Sequence, residues 1–313
     1  MPLVRRDYEG PEDLRSMQEL ARECWRLEGP YVPVTVGDLA WLMYQHLDKL
    51  SETRIRLWIE EETGKARAWA WLWLPAALIF LVHPGERDGP VLDELLDWFE
   101  REAGSDEGYL GITVLEHDER AVASVAGRGY RPHEGAMLHT VRSLAEPISE
   151  PLVPEGFTVR TVQGEADLER RVEVHRAAFA PSRVVPESYR ALMRAHPYRA
   201  DLDNVVEAPD GTLAAFCLCW LDEVNRVGEL EPVGTHPDYQ RRGLARAVCL
   251  AGLRGLEEHG AETAVVYAVE GSGAAELYRS IGFRTISRHL ELRRPVEPGN
   301  KPAPSRVNDS ITG

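Results

Sequence analysis

The stretch that decides the fold, residues 228–246, reads GELEPVGTHPDYQRRGLAR. It begins as a strand, passes through a short loop at residues 240–243 and continues directly into a helix. The first turn of a helix has unpaired N–H groups at the positive end of the helix dipole, so the loop predicts an anion-binding site. Gly243 permits close backbone approach, and Arg241 and Arg242 add positive charge, which favours a pyrophosphate. The alternative is a surface turn with two solvated arginines.

Residue pairs around this stretch recur in the first half of the chain and indicate a tandem duplication. Four pairs repeat in the same order at offsets of 153 to 155 residues. One such match carries little weight, but four in one order at nearly one offset are hard to obtain by chance. They are Val4-Arg5 with Val159-Arg160, Asp13-Leu14 with Asp167-Leu168, His83-Pro84 with His236-Pro237, and Gly129-Tyr130 with Gly282-Phe283.

Within the second copy the hydrophobic periodicity alternates between strand and helix, which predicts the order β-α-α-β-β-β-α-β-α-β. The predicted strands cover about residues 157–162, 204–207, 213–221, 227–235, 263–269 and 284–292, and the predicted helices about 167–179, 186–196, 243–259 and 273–281. This order is typical of an α/β fold with a mixed sheet. The whole chain is expected to hold two such domains.

The domain boundaries follow from the repeat and from composition. We predict a first domain at residues 1–145, a linker at 146–156 that contains Pro147, Pro151 and Pro154, and a second domain at 157–295. The last segment, residues 296–313, is rich in Pro, Asn and Ser and is expected to be disordered.

Composition excludes several classes of function. The 36 Lys and Arg residues stand against 51 Asp and Glu, a formal net charge of −15, which argues against binding to nucleic acids or anionic membranes. The 4 cysteines are too few and irregular for a disulfide framework or a zinc site, so no metal is expected and a cytoplasmic location is predicted. The longest apolar run, residues 68–82, contains Pro75 and is too short to span a bilayer.

Two motifs of the second copy resemble the GNAT N-acetyltransferase superfamily. The acyl-CoA signature of that family appears as Gln240-Arg-Arg-Gly243-Leu-Ala245, and its later segment as Gly271-Ser-Gly-Ala-Ala-Glu-Leu-Tyr278-Arg-Ser-Ile-Gly-Phe283. The resemblance covers residues 157–293, and the first half only through the duplication. It implies two tandem GNAT-like acyl-CoA N-acyltransferase domains, an architecture similar to that of the mycothiol synthase family, with the working site in the second domain.

The resemblance also implies how acetyl-CoA would be held. The backbone of Val233, Gly234 and Thr235 would pair with the pantetheine arm, and the Val233 amide would polarise the thioester carbonyl. Pro232 and Gly234 interrupt this strand, which predicts a bulge. Gly271 stands where the family has Asn, and Ser272 could replace it. The pyrophosphate would be bound by Gln240, Arg241, Arg242, Gly243, Leu244, Ala245 and Arg246.

Direct transfer of an acetyl group to an amine needs a base for the ammonium proton and an acid for the departing thiolate. Glu229 lies at the spacing of the family's catalytic glutamate and is the first candidate for the base. Glu231 lies on the same strand face and is the second, since paired carboxylates raise one another's pKa. Water is the remaining alternative, with both carboxylates lining an acidic pocket. Tyr278 is at the family's general-acid position, and the alternative is a core tyrosine.

The first copy lacks these features. Its loop from His83 to Pro90 replaces the basic residues with acidic ones and has Pro90 where an amide is needed, and the position of Tyr278 is occupied by Val125. We therefore predict that the first copy binds no acetyl-CoA. The alternating tryptophans of residues 69–73 predict core packing, and the alternative is that their indoles fill the vacated cleft or join the two halves.

The sequence thus predicts an enzyme that transfers acetyl from acetyl-CoA to a small-molecule amine. Peptide amino groups and the acceptor of mycothiol synthase are alternative acceptors. A non-catalytic acyl-CoA-binding regulatory or interaction module, or a site for another phosphorylated ligand, are alternatives from other classes. The tandem copies can supply the pseudo-dimer that single-copy relatives form between chains, so a monomer or a weak homodimer is expected.

Overall fold

A computed structural model of the chain describes residues 2–45, 47–104 and 107–297. The expected disordered tail lies outside the described residues from residue 298 onward. The first half contains six strands and four helices: β1 (Leu3–Asp7), α1 (Pro11–Glu28), α2 (Val36–Tyr44), β2 (Thr53–Glu60), β3 (Ala66–Trp73), β4 (Ala77–Val82), α3 (Val91–Glu102), β5 (Tyr109–Leu115), α4 (Glu119–Gly127) and β6 (Arg131–Ser143).

The second half repeats the same order of strands and helices. It contains β7 (Thr158–Thr161), α5 (Leu168–Ala178), α6 (Pro186–Leu192), β8 (Asp203–Glu207), β9 (Leu213–Asp222), β10 (Val227–Thr235), α7 (Leu244–Glu258), β11 (Thr263–Val269), α8 (Gly273–Ser280) and β12 (Arg284–Pro295). The predicted mixed α/β fold is confirmed. The predicted order of elements is also found, and β10 and β11 have the predicted bounds.

All twelve strands form one mixed sheet in which the last strand of each half is exchanged. The strand order is β1-β2-β3-β4-β5-β12-β6-β11-β10-β9-β8-β7. β6 of the first half pairs with β11 from Thr263↔Ser143 to Val269↔Met137, and β12 of the second half pairs with β5. Each half therefore completes the sheet of the other. β6 belongs to the first half in sequence but pairs with β11 of the second, and β12 belongs to the second half but pairs with β5 of the first.

The duplication is visible in a repeated ion pair at the start of each half. The Arg6 guanidinium binds the buried Asp13 carboxylate, and Arg160 binds Asp167 in the same way, 154 residues further on. Each carboxylate also accepts a backbone N–H from four residues before it. At Asp167 burial raises the pKa, but these partners outweigh it and lower the pKa to about 2.

The apolar cores explain how the two halves hold together. Trp69 and Trp71 are fully buried beneath α1, which confirms core packing and makes the cleft-filling alternative wrong for them. Trp41, on α2 of the first half, instead packs into a cluster of the second half with Leu168, Val172, Tyr189, Leu218 and Trp220. Helix α2 thus covers one face of the second half's sheet. None of the described helices is long and apolar enough to cross a membrane.

Candidate active site

The site is built where β10 and β11 separate. These parallel strands pair only from Val227↔Thr263 to Glu229↔Val265. On its other edge β10 pairs with β9, and the register shifts between Leu230 and Val233, which is the predicted bulge. The Trp220 indole donates to the Glu231 carbonyl at 2.6 Å and fixes the bulge. The β11-facing edge of β10 beyond Glu229 is therefore left without a strand partner among the described residues.

This free strand edge carries the three residues expected to hold pantetheine. Val233, Gly234 and Thr235 pair with β9 on one side, and their other side faces the gap. The buried Thr235 hydroxyl has no hydrogen-bond partner among the described residues. A Cβ on Gly234 would lie 2.4 Å from Cζ of Phe216, so only glycine fits there without repacking.

The loop before α7 has the geometry of an anion site. Arg241 and Gly243 both have positive φ, 60° and 78°, and no side chain caps α7. Alternating backbone conformations of this kind turn successive N–H groups toward one point. The Arg242 guanidinium lies over the Tyr239 ring, and Arg246 binds the Ser280 carbonyl and hydroxyl at 3.1 Å. The predicted residues 240–246 therefore combine a helix start that no side chain caps among the described residues with three arginines, of which Arg241 and Arg242 are exposed.

Helix α8, which carries the predicted general acid, packs beside β11. The Tyr278 side chain is 5% exposed and packs edge-on against Phe283 at 6.0 Å between ring centroids. Burial raises the pKa of its hydroxyl well above the ordinary value, so it remains a protonated donor. Ser272, the proposed replacement for the family's Asn, accepts the Ala275 amide at 3.2 Å and caps α8.

Three carboxyl groups meet on the opposite face of β10. Glu229 is 1% exposed and accepts a hydrogen bond from the Thr35 hydroxyl, while its Oε1 has no partner among the described residues. Burial, followed by the charge of Asp38, raises the pKa of Glu229 well above its ordinary value. Burial also raises the pKa of Asp38. Two neighbouring carboxyl groups with raised pKa values favour a shared proton.

Of the three carboxyl groups, Glu231 is the one that lines a cavity of about 310 Å³. This cavity is called the acceptor cavity hereafter because we propose below that the amine binds in it. Burial followed by the charge of Asp38 raises the pKa of Glu231 to about 8. The cavity is also lined by Trp41, Gln45, His175, Phe179, Pro181, Ser182, Arg183 and Pro232. A carboxyl group that titrates near neutral pH beside an open cavity can exchange a proton with a bound amine.

Sequence reasoning did not identify the particular residues that the first half contributes to this site. Thr35 and Asp38 form the capping box of α2, which a reader of the sequence could take only as a helix start. Gly37 between them lets α2 approach, since a Cβ there would lie 2.3 Å from Cγ of Trp220 and 2.5 Å from Oε2 of Glu229. The Tyr267 hydroxyl is a further missed group, and burial followed by the charge of Asp38 raises its pKa.

The equivalent cleft of the first half, between β4 and β5, is filled. The strands pair at Ala77↔Gly111 and Leu78↔Ile112 before they separate, but the space that remains is about 20 Å³. Tyr31 lines it and stacks on His117 at 3.9 Å. Arg87 binds Glu28 at 2.8 Å and lies 3.4 Å from Asp118. Its positive charge is thus neutralised by carboxylates of the same half.

Comparison with known proteins agrees with this arrangement. The profile of the acetyltransferase (GNAT) family matches residues 173–283. A mycothiol acetyltransferase of Tsukamurella paurometabola is 30% identical over 236 residues, covering 69% of this chain and 77% of that protein. One from Saccharomonospora viridis is 29% identical over 230 residues, covering 67% and 72%. The chain belongs to the GNAT acetyltransferase family.

Solved structures show the same fold along nearly the whole chain. A tandem GNAT protein from the clavulanic acid biosynthesis pathway superposes with a TM-score of 0.65 at 15% identity, covering 96% of this chain and 100% of that one. A GCN5-related N-acetyltransferase from Sphaerobacter thermophilus gives 0.63 at 21% identity, covering 95% and 96%. The protein is thus a tandem GNAT acetyltransferase that uses acetyl-CoA as donor and an amine as acceptor.

Proposed function

We propose that the protein acetylates a small-molecule amine at one site, in the second half of the chain. The observation that supports this most is the edge of β10 left unpaired by β11, which leads through one short loop to the start of α7, where no side chain among the described residues caps the helix. The equivalent gap of the first half is reduced to about 20 Å³. The acceptor cavity, about 310 Å³, has the size of a small-ligand pocket, roughly 300–1,000 Å³.

The residues at the gap fit acetyl-CoA, which supplies the activated acetyl thioester. Val233, Gly234 and Thr235 offer the pantetheine arm a strand edge, and the buried Thr235 hydroxyl has no other partner among the described residues. The backbone amides of residues 240–246, with Arg241 and Arg242, would hold the pyrophosphate. The Val233 amide is placed to donate to the thioester oxygen, where negative charge develops during transfer.

Two side chains move the protons of the reaction. Glu231 takes the proton of the bound ammonium, so that the amine nitrogen forms its bond to the acetyl carbon. As the bond from that carbon to sulfur breaks, Tyr278 gives its proton to the departing thiolate and regains one from solvent. The nitrogen, which is positively charged once the new bond has formed, releases its second proton to solvent and leaves the neutral amide. Glu231 is preferred to Glu229 as the base because it lines the acceptor cavity, whereas Glu229 is buried behind it with Asp38. Water-assisted transfer to Glu229 is the alternative.

Native mass spectrometry with and without acetyl-CoA tests the site directly. We expect one acetyl-CoA per chain, lost in Gly243→Pro, because proline cannot adopt φ 78° and has no N–H to donate. Pro90 already occupies the corresponding region of the first half, so Pro90→Gly is the matched control and should still bind one molecule. No bound acetyl-CoA, or two molecules per chain, would contradict the proposal.

Acetylation of the acceptor used by mycothiol acetyltransferases is the second candidate function, and the relatives of that name at 29–30% identity favour it. Measuring acetylation of that acceptor in parallel with a panel of simple amines would distinguish the two candidate functions. If acetyl-CoA binds but no free thiol is released with that acceptor or with any amine of the panel, the result would favour a non-catalytic acyl-CoA-binding module instead.

A further inference from the structure

The acceptor cavity has a continuous aromatic wall contributed by both halves. The Trp41 ring, on α2, lies 5.4 Å from the His175 ring, and the Phe179 ring lies 4.9 Å beyond it, measured between centroids. The Ser182 hydroxyl contacts Nδ1 of His175 at 3.2 Å and holds that ring in place. The wall therefore consists of the rings of Trp41 and His175, the second of which is held by Ser182, followed by the ring of Phe179.

Phe179 is a large apolar side chain left partly in water. It is 44% exposed, whereas Trp41 is 5% exposed and His175 is 4% exposed. Exposing an aromatic ring to water is unfavourable, and a ring exposed at the mouth of a cavity is a surface that a ligand can cover. The Phe179 ring is 6.1 Å from Phe216 of the core, which anchors one of its sides.

The floor of the cavity carries a single acidic group. Among the described residues that line it, Glu231 is the only carboxylate, and Pro232 beside it adds apolar surface. Glu229 and Asp38 lie near Glu231, and the Tyr267 hydroxyl lies near all three. His175 and Arg183 also line the cavity. An ammonium group placed at the floor would be attracted by this cluster of carboxyl groups.

We propose that the acceptor cavity selects primary amines that carry an aromatic ring on a short alkyl chain, with the ammonium at Glu231 and the ring against the wall of Trp41, His175 and Phe179. The inference rests on the proposed function and adds the class of acceptor. The volume of about 310 Å³ is at the lower end for ligand pockets, roughly 300–1,000 Å³, which favours one ring over a larger acceptor.

The test compares acceptors on the full-length protein with acetyl-CoA. The acceptors are 2-phenylethylamine, ethanolamine and glucosamine, each measured with the wild type, Phe179→Ala and the control Leu152→Ala. Leu152 is also exposed, at 80%, but lies in the linker. We expect kcat/KM for 2-phenylethylamine to exceed that for glucosamine at least about tenfold, and Phe179→Ala to raise its KM about 5- to 10-fold with little change in kcat. Leu152→Ala should change neither.

Binding without turnover separates this inference from the proposed function. Calorimetry in the presence of CoA, which has no acetyl group to give, measures 2-phenylethylamine and 2-phenylethanol, which share the ring but differ in charge. The amine should bind about tenfold more tightly, and Phe179→Ala should weaken both. Binding of this kind with no acetylation of any amine would support the cavity's selectivity and contradict the proposed function.

Two other results would overturn the inference. If glucosamine or ethanolamine is acetylated as efficiently as 2-phenylethylamine and Phe179→Ala changes no KM, the class of acceptor is wrong while the proposed function stands. If 2-phenylethylamine neither binds nor is acetylated, yet another amine is acetylated, the wall of Trp41, His175 and Phe179 does not select the acceptor.

Discussion

The gap between β10 and β11 and the gap between β4 and β5 occupy equivalent places in two halves with one order of elements. In the second half the loop before the helix has positive φ at Arg241 and Gly243, and it exposes the side chains of Arg241 and Arg242. In the first half Tyr31 lines a residual space of about 20 Å³, and Arg87 is bound by Glu28. The same order of elements is thus compatible with an unpaired strand edge at the gap of one half and a filled gap in the other.

The first half, called the closed half because its gap is filled, contributes side chains to the cavity of the second half. Its helix α2 places Thr35 on Glu229, Asp38 next to the same carboxyl group, and Trp41 on the acceptor cavity. Exchange of β6 and β12 holds this arrangement, because neither half has a complete sheet alone. The comparison teaches that a domain whose own gap is filled can still contribute side chains to the cavity of its neighbour.

The largest expected effect is on Tyr278, whose equivalent in the closed half is Val125. Tyr278→Phe keeps the ring packing on Phe283 and removes only the hydroxyl, so we expect kcat to fall about 10²- to 10⁴-fold while acetyl-CoA affinity is unchanged. Thiol release at saturating amine measures this. Tyr130→Phe, a buried tyrosine of the closed half whose hydroxyl binds Glu100, should leave kcat unchanged. Equal kcat in wild type and Tyr278→Phe would leave Tyr278 as a core residue.

The next effect distinguishes Glu231 from Glu229. The pKa of Glu231, raised to about 8, predicts that kcat/KM rises with pH through pH 8 as the carboxyl group ionises. Glu231→Gln should remove this rise and lower kcat/KM about 100-fold. Glu229→Gln is the matched variant and should keep the rise. Loss of the pH-dependent rise in Glu229→Gln alone would identify Glu229 as the base.

The raised pKa of Glu231 also affects stability. As pH rises, kcat/KM is expected to increase, whereas the contribution of Glu231 to the free energy of unfolding is expected to decrease. Unfolded Glu231 releases its proton near its ordinary pKa of 4.5, while folded Glu231 keeps it until about pH 8. The folded state therefore binds more protons in this window, so the group's contribution to stability falls as pH rises from 4.5 to 8. Denaturant unfolding of Glu231→Gln should show a smaller decline over this window than the wild type. An identical decline would mean that Glu231 is ionised at neutral pH.

The sequence was sufficient for features that depend on local pattern. Hydrophobic periodicity predicted the strands and helices, Pro232 with Gly234 predicted the bulge, and the His-Pro and Gly-aromatic pairs revealed the repeat. These signals are local because strand alternation, helix starts and backbone breaks depend on neighbouring residues. The order of elements could therefore be predicted, although not the sheet order.

The features that could not be predicted depend on contacts between distant residues. The Thr35 hydroxyl reaches Glu229 across 194 residues of chain, and nothing near Thr35 in sequence indicates that contact. The exchange of β6 and β12 likewise leaves no local pattern, since an antiparallel strand has the same alternation beside either neighbour. The contribution of Trp41 and Gln45 to the acceptor cavity therefore stayed hidden until the fold was known.

The approach of α2 to Glu229 can be tested at Gly37. In Gly37→Ala a Cβ would lie 2.3 Å from Cγ of Trp220, so we expect a loss of about 1–3 kcal/mol in the free energy of unfolding and a lower kcat/KM. Gly127→Ala, in α4 with nothing within 4 Å of its Cβ, should be neutral or stabilising by up to about 1 kcal/mol. Equal stability of the two variants would show that α2 does not press on Glu229.

The smallest expected effect is on Arg241, in the loop before α7, and it is compared with the effect on Arg87 in the corresponding loop of the first half. Arg241 is exposed beside the start of α7, so Arg241→Ala should weaken acetyl-CoA binding only about 5- to 10-fold, with the difference shrinking as salt concentration rises. Arg87→Ala in the closed half should leave acetyl-CoA affinity unchanged but lower the melting temperature, because Glu28 and Asp118 would then face each other without a cation. Calorimetric titration and thermal unfolding measure the two quantities separately. The reverse pattern, weaker binding in Arg87→Ala alone, would place the pyrophosphate in the first half, since only a residue near that group changes its affinity in a salt-dependent manner.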